Sequence, residues 1–92
     1  MAGWTFLTNH AHVLIHLASN PESRVRDLAE SVGVTERSVM KILSDLEADG
    51  YVTRTRLGRR NEYHLDERMR FRHPAEAGQP IGKLLDIFGA SA

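Results

Sequence analysis

The feature that most constrains this chain is a change of hydrophobic period at Gly50. Before it, Val39, Ile42, Leu43 and Leu46 recur at the three- and four-residue spacing that gathers apolar side chains on one face of a helix. After it, Tyr51-Val52-Thr53-Arg54-Thr55-Arg56-Leu57 is rich in β-branched and aromatic residues, and Asn61-Glu62-Tyr63-His64-Leu65 resumes the alternation beyond Gly58. The change predicts a helix over about Thr35 to Asp49, capped by Thr35, followed at once by a hairpin over Tyr51–Leu65 with Gly58-Arg59-Arg60 at or near its tip.

Upstream, Leu28, Ala29 and Val32 form the inner face of a shorter helix that starts near Asp27, whose carboxylate favours the positive end of a helix dipole. It stops at Gly33, because the residue just past a helix often takes the left-handed conformation that glycine adopts without steric cost. Arg24-Val25-Arg26 reads as a short extended piece that can add a third strand beside the hairpin. A first helix, capped by Thr8 or Asn9, carries a stripe of Val13, Leu14 and Leu17 with Ala11 and Ala18, and ends before Asn20-Pro21. Two helices joined through Gly33-Val34-Thr35 make a helix-turn-helix. The expected fold class is mainly α with a small β-hairpin (α+β): a winged helix-turn-helix with a three-helix core, a wing and a short C-terminal helix.

Three regions follow. Residues 1–66 form the winged unit. Residues 67–80, polar and broken by Pro74, Gly78 and Pro80, read as a linker or arm, mobile or draped on the surface. Residues 81–90 hold Ile81, Leu84, Leu85, Ile87 and Phe88, a helix too apolar and short to stand in water unless it packs on the core or a second subunit.

With 92 residues, 12 basic and 12 acidic, the chain is formally neutral, which by itself argues against a nucleic-acid partner. The distribution argues the other way. Residues 1–50 hold four Lys/Arg against seven Asp/Glu, residues 51–73 seven against three, and residues 74–92 one against two. Arg54, Arg56, Arg59 and Arg60, with Asn61, lie on a ribbon whose turn can reach a minor groove, where negative potential favours arginine. A domain of this size buries only about 60% of its unfolded surface, so a second subunit is a natural source of stability.

The chain has no cysteine, which excludes a disulfide framework, a Cys-ligated zinc site and a thiol nucleophile. No Gly-rich phosphate loop or spaced Ser, His and acid set suggests catalysis, so a non-enzyme without cofactors is expected. The opening residues lack a cationic segment followed by a long apolar run, and no stretch approaches the roughly 20 apolar residues that span a bilayer. A cytoplasmic protein, with no membrane partner, is expected.

The stretch VRDLAESVGVTERSVMKILSDLEADGYV, Val25 to Val52, resembles the helix-turn-helix of MarR-like and ArsR-like winged-helix regulators. The resemblance continues through GRRNEY, and WTFLTNHAHVL, RHP and the late IGKLL look like small stand-alone proteins of this kind. It implies a transcriptional regulator that binds double-stranded DNA as a homodimer, with major-groove contacts from Thr35, Glu36, Arg37, Ser38 and Lys41, joined by Met40 and Ser44. The chemistry agrees: a helix N-terminus offers free N–H groups to phosphate, and Arg37 can pair bidentately with guanine. Arg24 and Arg26 are open both to phosphate contact and to ion pairs with Glu22 or Glu30. For Arg68, Arg70 and Arg72, phosphate contact, a dimer contact and solubility stand level.

Trp4, Phe6, Ile81, Leu84, Leu85 and Phe88 are the candidate dimer contacts, and are most simply core and dimer surfaces. The long terminal helices with which MarR-like relatives build their dimer are missing, which weakens the case for an effector pocket between such helices and the winged domain. His12 and His16, one helical turn apart, with His10 nearby, invite a metal. A solvated helix face is the better reading, and a metal site is not expected. A site shared across a dimer with His64 or His73 stays open. The alternative function, from another class, is a protein-interaction module that docks a partner through its C-terminal apolar helix.

Overall fold

The computed structural model describes residues 3–88. Three helices come first: α1 (Asn9–Ser19), α2 (Val25–Val32) and α3 (Glu36–Ala48). A hairpin of β1 (Val52–Leu57) and β2 (Arg60–Leu65) follows, and after a long loop comes α4 (Gly82–Ile87). Residues 89 and 90, assigned to the last helix by the sequence, lie outside the described residues, as do residues 1 and 2.

The helices α1 and α3 begin where a threonine side chain supplies a cap. Thr8 Oγ1 accepts from the Ala11 N–H at 3.2 Å, and Thr35 Oγ1 accepts from the Ser38 N–H at 3.0 Å. Gly33, at φ +84°, ends α2, and the Val34 N–H returns to the Ala29 carbonyl at 3.1 Å, the backbone bond of a Schellman turn. That turn carries the chain from α2 into α3. Leu57 pairs with Arg60, leaving Gly58-Arg59 as a two-residue loop. Positive φ at Gly58 and not at Arg59 fits the hairpin turn that takes glycine first.

One core joins all six elements. Val13, Leu14 and Leu17 of α1 meet Leu28 and Ala29 of α2 and Val39, Ile42, Leu43 and Leu46 of α3. Tyr51, Val52 and Tyr63 close it from the hairpin side, and Ile81 and Leu85 from the C-terminal side.

Two sequence expectations change here. Arg24-Val25 adds no strand: the sheet among the described residues has two strands, and Val25 already opens α2. The reason is Asp27, which sits inside the first turn and accepts from the Arg24 N–H at 3.3 Å, so the helix starts two residues early. What remains of a third strand is one bond, from the Tyr63 N–H to the Pro21 carbonyl at 2.8 Å.

The stretch 67–80 is not a free linker. Met69 and Phe71 pack against the core, Arg70 and Pro80 form an isolated antiparallel bridge, and the Ile81 N–H donates to the Met69 carbonyl at 2.7 Å. The Tyr51 hydroxyl donates to the Arg70 carbonyl, and the Arg70 guanidinium to the Gly78 carbonyl at 3.0 Å. Pro74, Gly78 and Pro80 thus turn the arm back on itself and deliver α4 to α1.

That delivery also revises the candidate dimer contacts. Ile81, Leu84 and Leu85 are buried within the chain, the core packing that the sequence offered beside dimer contact. Trp4, Phe6 and Phe88 keep exposed surface, as does Ile87.

Candidate nucleic-acid interface

The core stripe of α3 fixes what the helix shows to the outside. With Val39, Ile42, Leu43 and Leu46 turned inward, Glu36, Arg37, Ser38, Met40, Lys41 and Ser44 are all exposed. Arg37, Lys41 and Ser44 stand at four- and three-residue intervals, so they share one stripe. Thr35 caps this helix, and its hydroxyl also donates to Ser38 Oγ at 3.0 Å.

The wing is tied to the same helix. In the hairpin register Val52 faces Leu65, Arg54 faces Tyr63 and Arg56 faces Asn61. Because side chains alternate across a strand, these six residues share a face, apolar at its base and basic toward its tip. Arg54 sits at the boundary, where its Nε lies 3.6 Å from Glu47 Oε2 on the last turn of α3. Arg56 folds back, donating from Nε to the Gly58 carbonyl at 2.7 Å. Arg59 and Arg60 occupy the exposed turn and its exit.

Partnering divides the cations of this surface. Lys41 Nζ donates to Asp45 Oδ1 at 2.6 Å, while Asp45 Oδ2 lies 2.9 Å from His10 Nε2. The Lys41 ammonium first, and the His10 ring second, hold the Asp45 carboxyl below its ordinary value of 3.8. Among the described residues, Arg24, Arg26, Arg37, Arg59 and Arg60 have no carboxylate within ion-pair reach. The ion pairs with Glu22 or Glu30 that the sequence left open to Arg24 and Arg26 are not made.

The arm's arginines are used differently. Arg68 Nε lies 3.3 Å from Asp66 Oδ1, Arg70 closes its own loop, and Arg72 Nη1 donates to Asp49 Oδ2 at 2.6 Å. Asp49 follows α3 directly, so Arg72 fastens the arm to the end of α3.

Three members of this surface were absent from the sequence-derived set: Asp45, Glu47 and His10. Asp45 was legible, since it stands four residues after Lys41. Glu47 meets Arg54 across the Gly50 turn, and His10 meets Asp45 from 35 positions away, so neither contact has a local signal. Of the histidines, His12 Nδ1 lies 3.4 Å from Asn9 Oδ1 and His10 is engaged by Asp45. Among the described residues no three His, Asp or Glu side chains converge as a metal-binding group. No described helix is long and apolar enough to cross a membrane.

No curated protein matches the chain at a significant level. The sequence profile of the MarR family matches residues 4–60, which takes in α1, α2, α3, β1 and the wing turn. The match covers more than half of the chain, and the helices and hairpin described above have the winged-helix arrangement that this family shares. The chain therefore belongs to the MarR family of winged-helix, DNA-binding transcriptional regulators.

Proposed function

We propose that this protein reads double-stranded DNA as a cytoplasmic homodimer, with α3 in the major groove and the arginine-rich wing on the minor groove or backbone. The observation that carries the reading is the split in partnering. Among the described residues, Arg37 on the helix, and Arg59 and Arg60 on the wing, have no acidic partners, while Arg54 and Glu47 brace the two elements against each other. Thr35, Glu36, Arg37, Ser38 and Lys41 read bases or the adjoining phosphates, and Arg54, Arg56, Arg59, Arg60 and Asn61 serve the wing contact. Arg24 and Arg26, exposed at the start of α2, contribute phosphate contacts. Lys41 exchanges Asp45 for DNA on binding, at a small cost because the i,i+4 pair is exposed and screened by solvent.

The homodimer is supported by exposed apolar surface near the chain's ends. Trp4 and Phe6 stack edge to face with ring centroids 5.1 Å apart, yet stay 69% and 92% exposed, and Phe88 is half exposed. A partner-docking module built on α4 has only Ile87 and Phe88 to offer, since Ile81, Leu84 and Leu85 are buried.

Selection of bound sequences from a random duplex library at stated salt, with the mass in solution measured alongside, tests the reading. A palindromic motif with half-sites about 10–10.5 base pairs apart, bound by a dimer, is the expected result. Loss of sequence preference in Arg37→Ala and Lys41→Ala is expected as well. An unchanged motif in both variants would remove α3 from the reading role.

A further inference from the structure

Met40 is an apolar side chain left 61% exposed on the outward side of α3, beside the two cations of that surface, Arg37 and Lys41. It takes no part in the hydrophobic core. Helix geometry fixes the flank it occupies. Glu47 follows it by seven residues, about 20° short of two full turns, so the two share one flank. Glu47 Oε2 lies 3.6 Å from Arg54 Nε on β1, which makes this the flank that faces the wing. Asp45, about 140° away around the helix axis, faces α1 instead, with Oδ2 at 2.9 Å from His10 Nε2.

That placement separates Met40 from the exposed apolar surface offered to a second subunit. Phe6 lies with His10 and Asp45 on the α1 side, and Trp4 stacks on Phe6. A dimer contact through Trp4 and Phe6 therefore leaves Met40 uncovered, on the opposite flank of α3.

What an apolar side chain can meet in a major groove is narrow. The base edges there present hydrogen-bond donors and acceptors and a single kind of apolar group, the methyl on C5 of thymine. Cytosine carries the same group at the same carbon when it is methylated. Methionine suits such a contact, because its unbranched, polarisable thioether adapts to an irregular surface. We infer that Met40 is a specificity-determining residue that packs on the C5-methyl group of a pyrimidine in each half-site. The inference rests on the proposed function, since it needs α3 in the major groove. Removal from water of one methyl-sized group corresponds to a change in affinity of about three- to fivefold.

The test starts from a duplex that the native protein binds in the library selection. Each thymine is replaced in turn by deoxyuridine, which loses the C5-methyl and keeps every base-pairing atom. Each cytosine is replaced in turn by 5-methylcytosine, which gains the methyl. Fluorescence anisotropy at one salt concentration reads the affinity of native protein, Met40→Ser and Met40→Leu. If thymine carries the group, deoxyuridine at one position of the half-site is expected to weaken native binding about three- to fivefold. If methylated cytosine carries it, 5-methylcytosine at one position should strengthen binding by the same factor. Met40→Ser should abolish the methyl effect and Met40→Leu should keep it. The base preference that depends on Arg37 should persist in Met40→Ser, which shows that α3 still docks. Native protein indifferent to every replacement would make Met40 a solvated surface residue and overturn the inference, as would a methyl effect that survives Met40→Ser. Either result leaves the proposed function standing, whereas failure to bind any duplex would overturn both.

Discussion

Arg59 and Arg60 in the wing turn, and Arg68, Arg70 and Arg72 in the arm, belong to the same basic stretch of sequence. Their surroundings in the fold are opposite. The wing-turn pair has no carboxylate in reach among the described residues, whereas every arm arginine is held, by Asp66, by the Gly78 carbonyl or by Asp49. A run of like charge is thus not yet a binding surface. Charges paired with carboxylates, as Arg68 and Arg72 are, are neutralised locally and fasten structure, while those that are unpaired or held by a neutral carbonyl project the field that phosphate can feel.

The comparison breaks first if the arm proves dispensable for stability. Leu85 is 2% exposed and sits on the helix that the arm delivers to the core. Leu85→Ala is expected to cost about 2–5 kcal/mol in urea unfolding, the usual range for a buried leucine. A loss below about 0.5 kcal/mol would mean that the arm and α4 are not part of the folded unit.

On α3, Arg37→Ala is expected to weaken binding to the selected duplex by about 1–3 kcal/mol and to relax preference at one base pair, as loss of a bidentate base contact does. A uniform loss across all sequences would instead make Arg37 a phosphate contact. Arg72→Ala should act on stability alone, by less than about 1 kcal/mol, because its pair with Asp49 is solvent-exposed. A larger effect on DNA affinity than on stability would return the arm to the binding surface.

The smallest effect concerns acid. The carboxyl of Asp45 is held below 3.8 in the fold, so its contribution is present above that value and is lost as pH falls through the folded-state value. The stability difference between the native protein and Asp45→Asn should therefore be constant near neutrality and shrink from about pH 4 downward. A difference that grows in acid would mean that the contacts with Lys41 and His10 do not favour the ionised carboxyl.

Much of the winged unit was legible because its signals are local. The stripe of α3, the cap at Thr35, the stop at Gly33 and the switch of period after Gly50 each lie within a few residues of the structure they specify. The start of α2 misled, because a β-branched Val25 between two arginines looks extended, while the Asp27 carboxylate three residues past Arg24 makes it a first helical turn. The arm misled more, since Pro74, Gly78 and Pro80 are turn-formers and linker-formers alike. The packing of the partly buried Met69 and Phe71 against the core, and the tether from Tyr51 to Arg70, depend on residues far apart in sequence. The same limit applies to the interface: its positions could be named, but which cations stay free depends on carboxylates brought in from other elements.

The central claim is that the wing turn, and not the arm, supplies the charge that meets DNA. Its most direct test is the slope of log affinity against log salt for one selected duplex, compared between native protein, the Arg59→Ala/Arg60→Ala double variant and the Arg68→Ala/Arg72→Ala double variant. Each lost phosphate contact should flatten the slope by about 0.9. The wing variant is therefore predicted to flatten it by nearly twice that amount, and the arm variant to leave it at the native value. Equal flattening in the two variants, or flattening in the arm variant alone, would contradict the account.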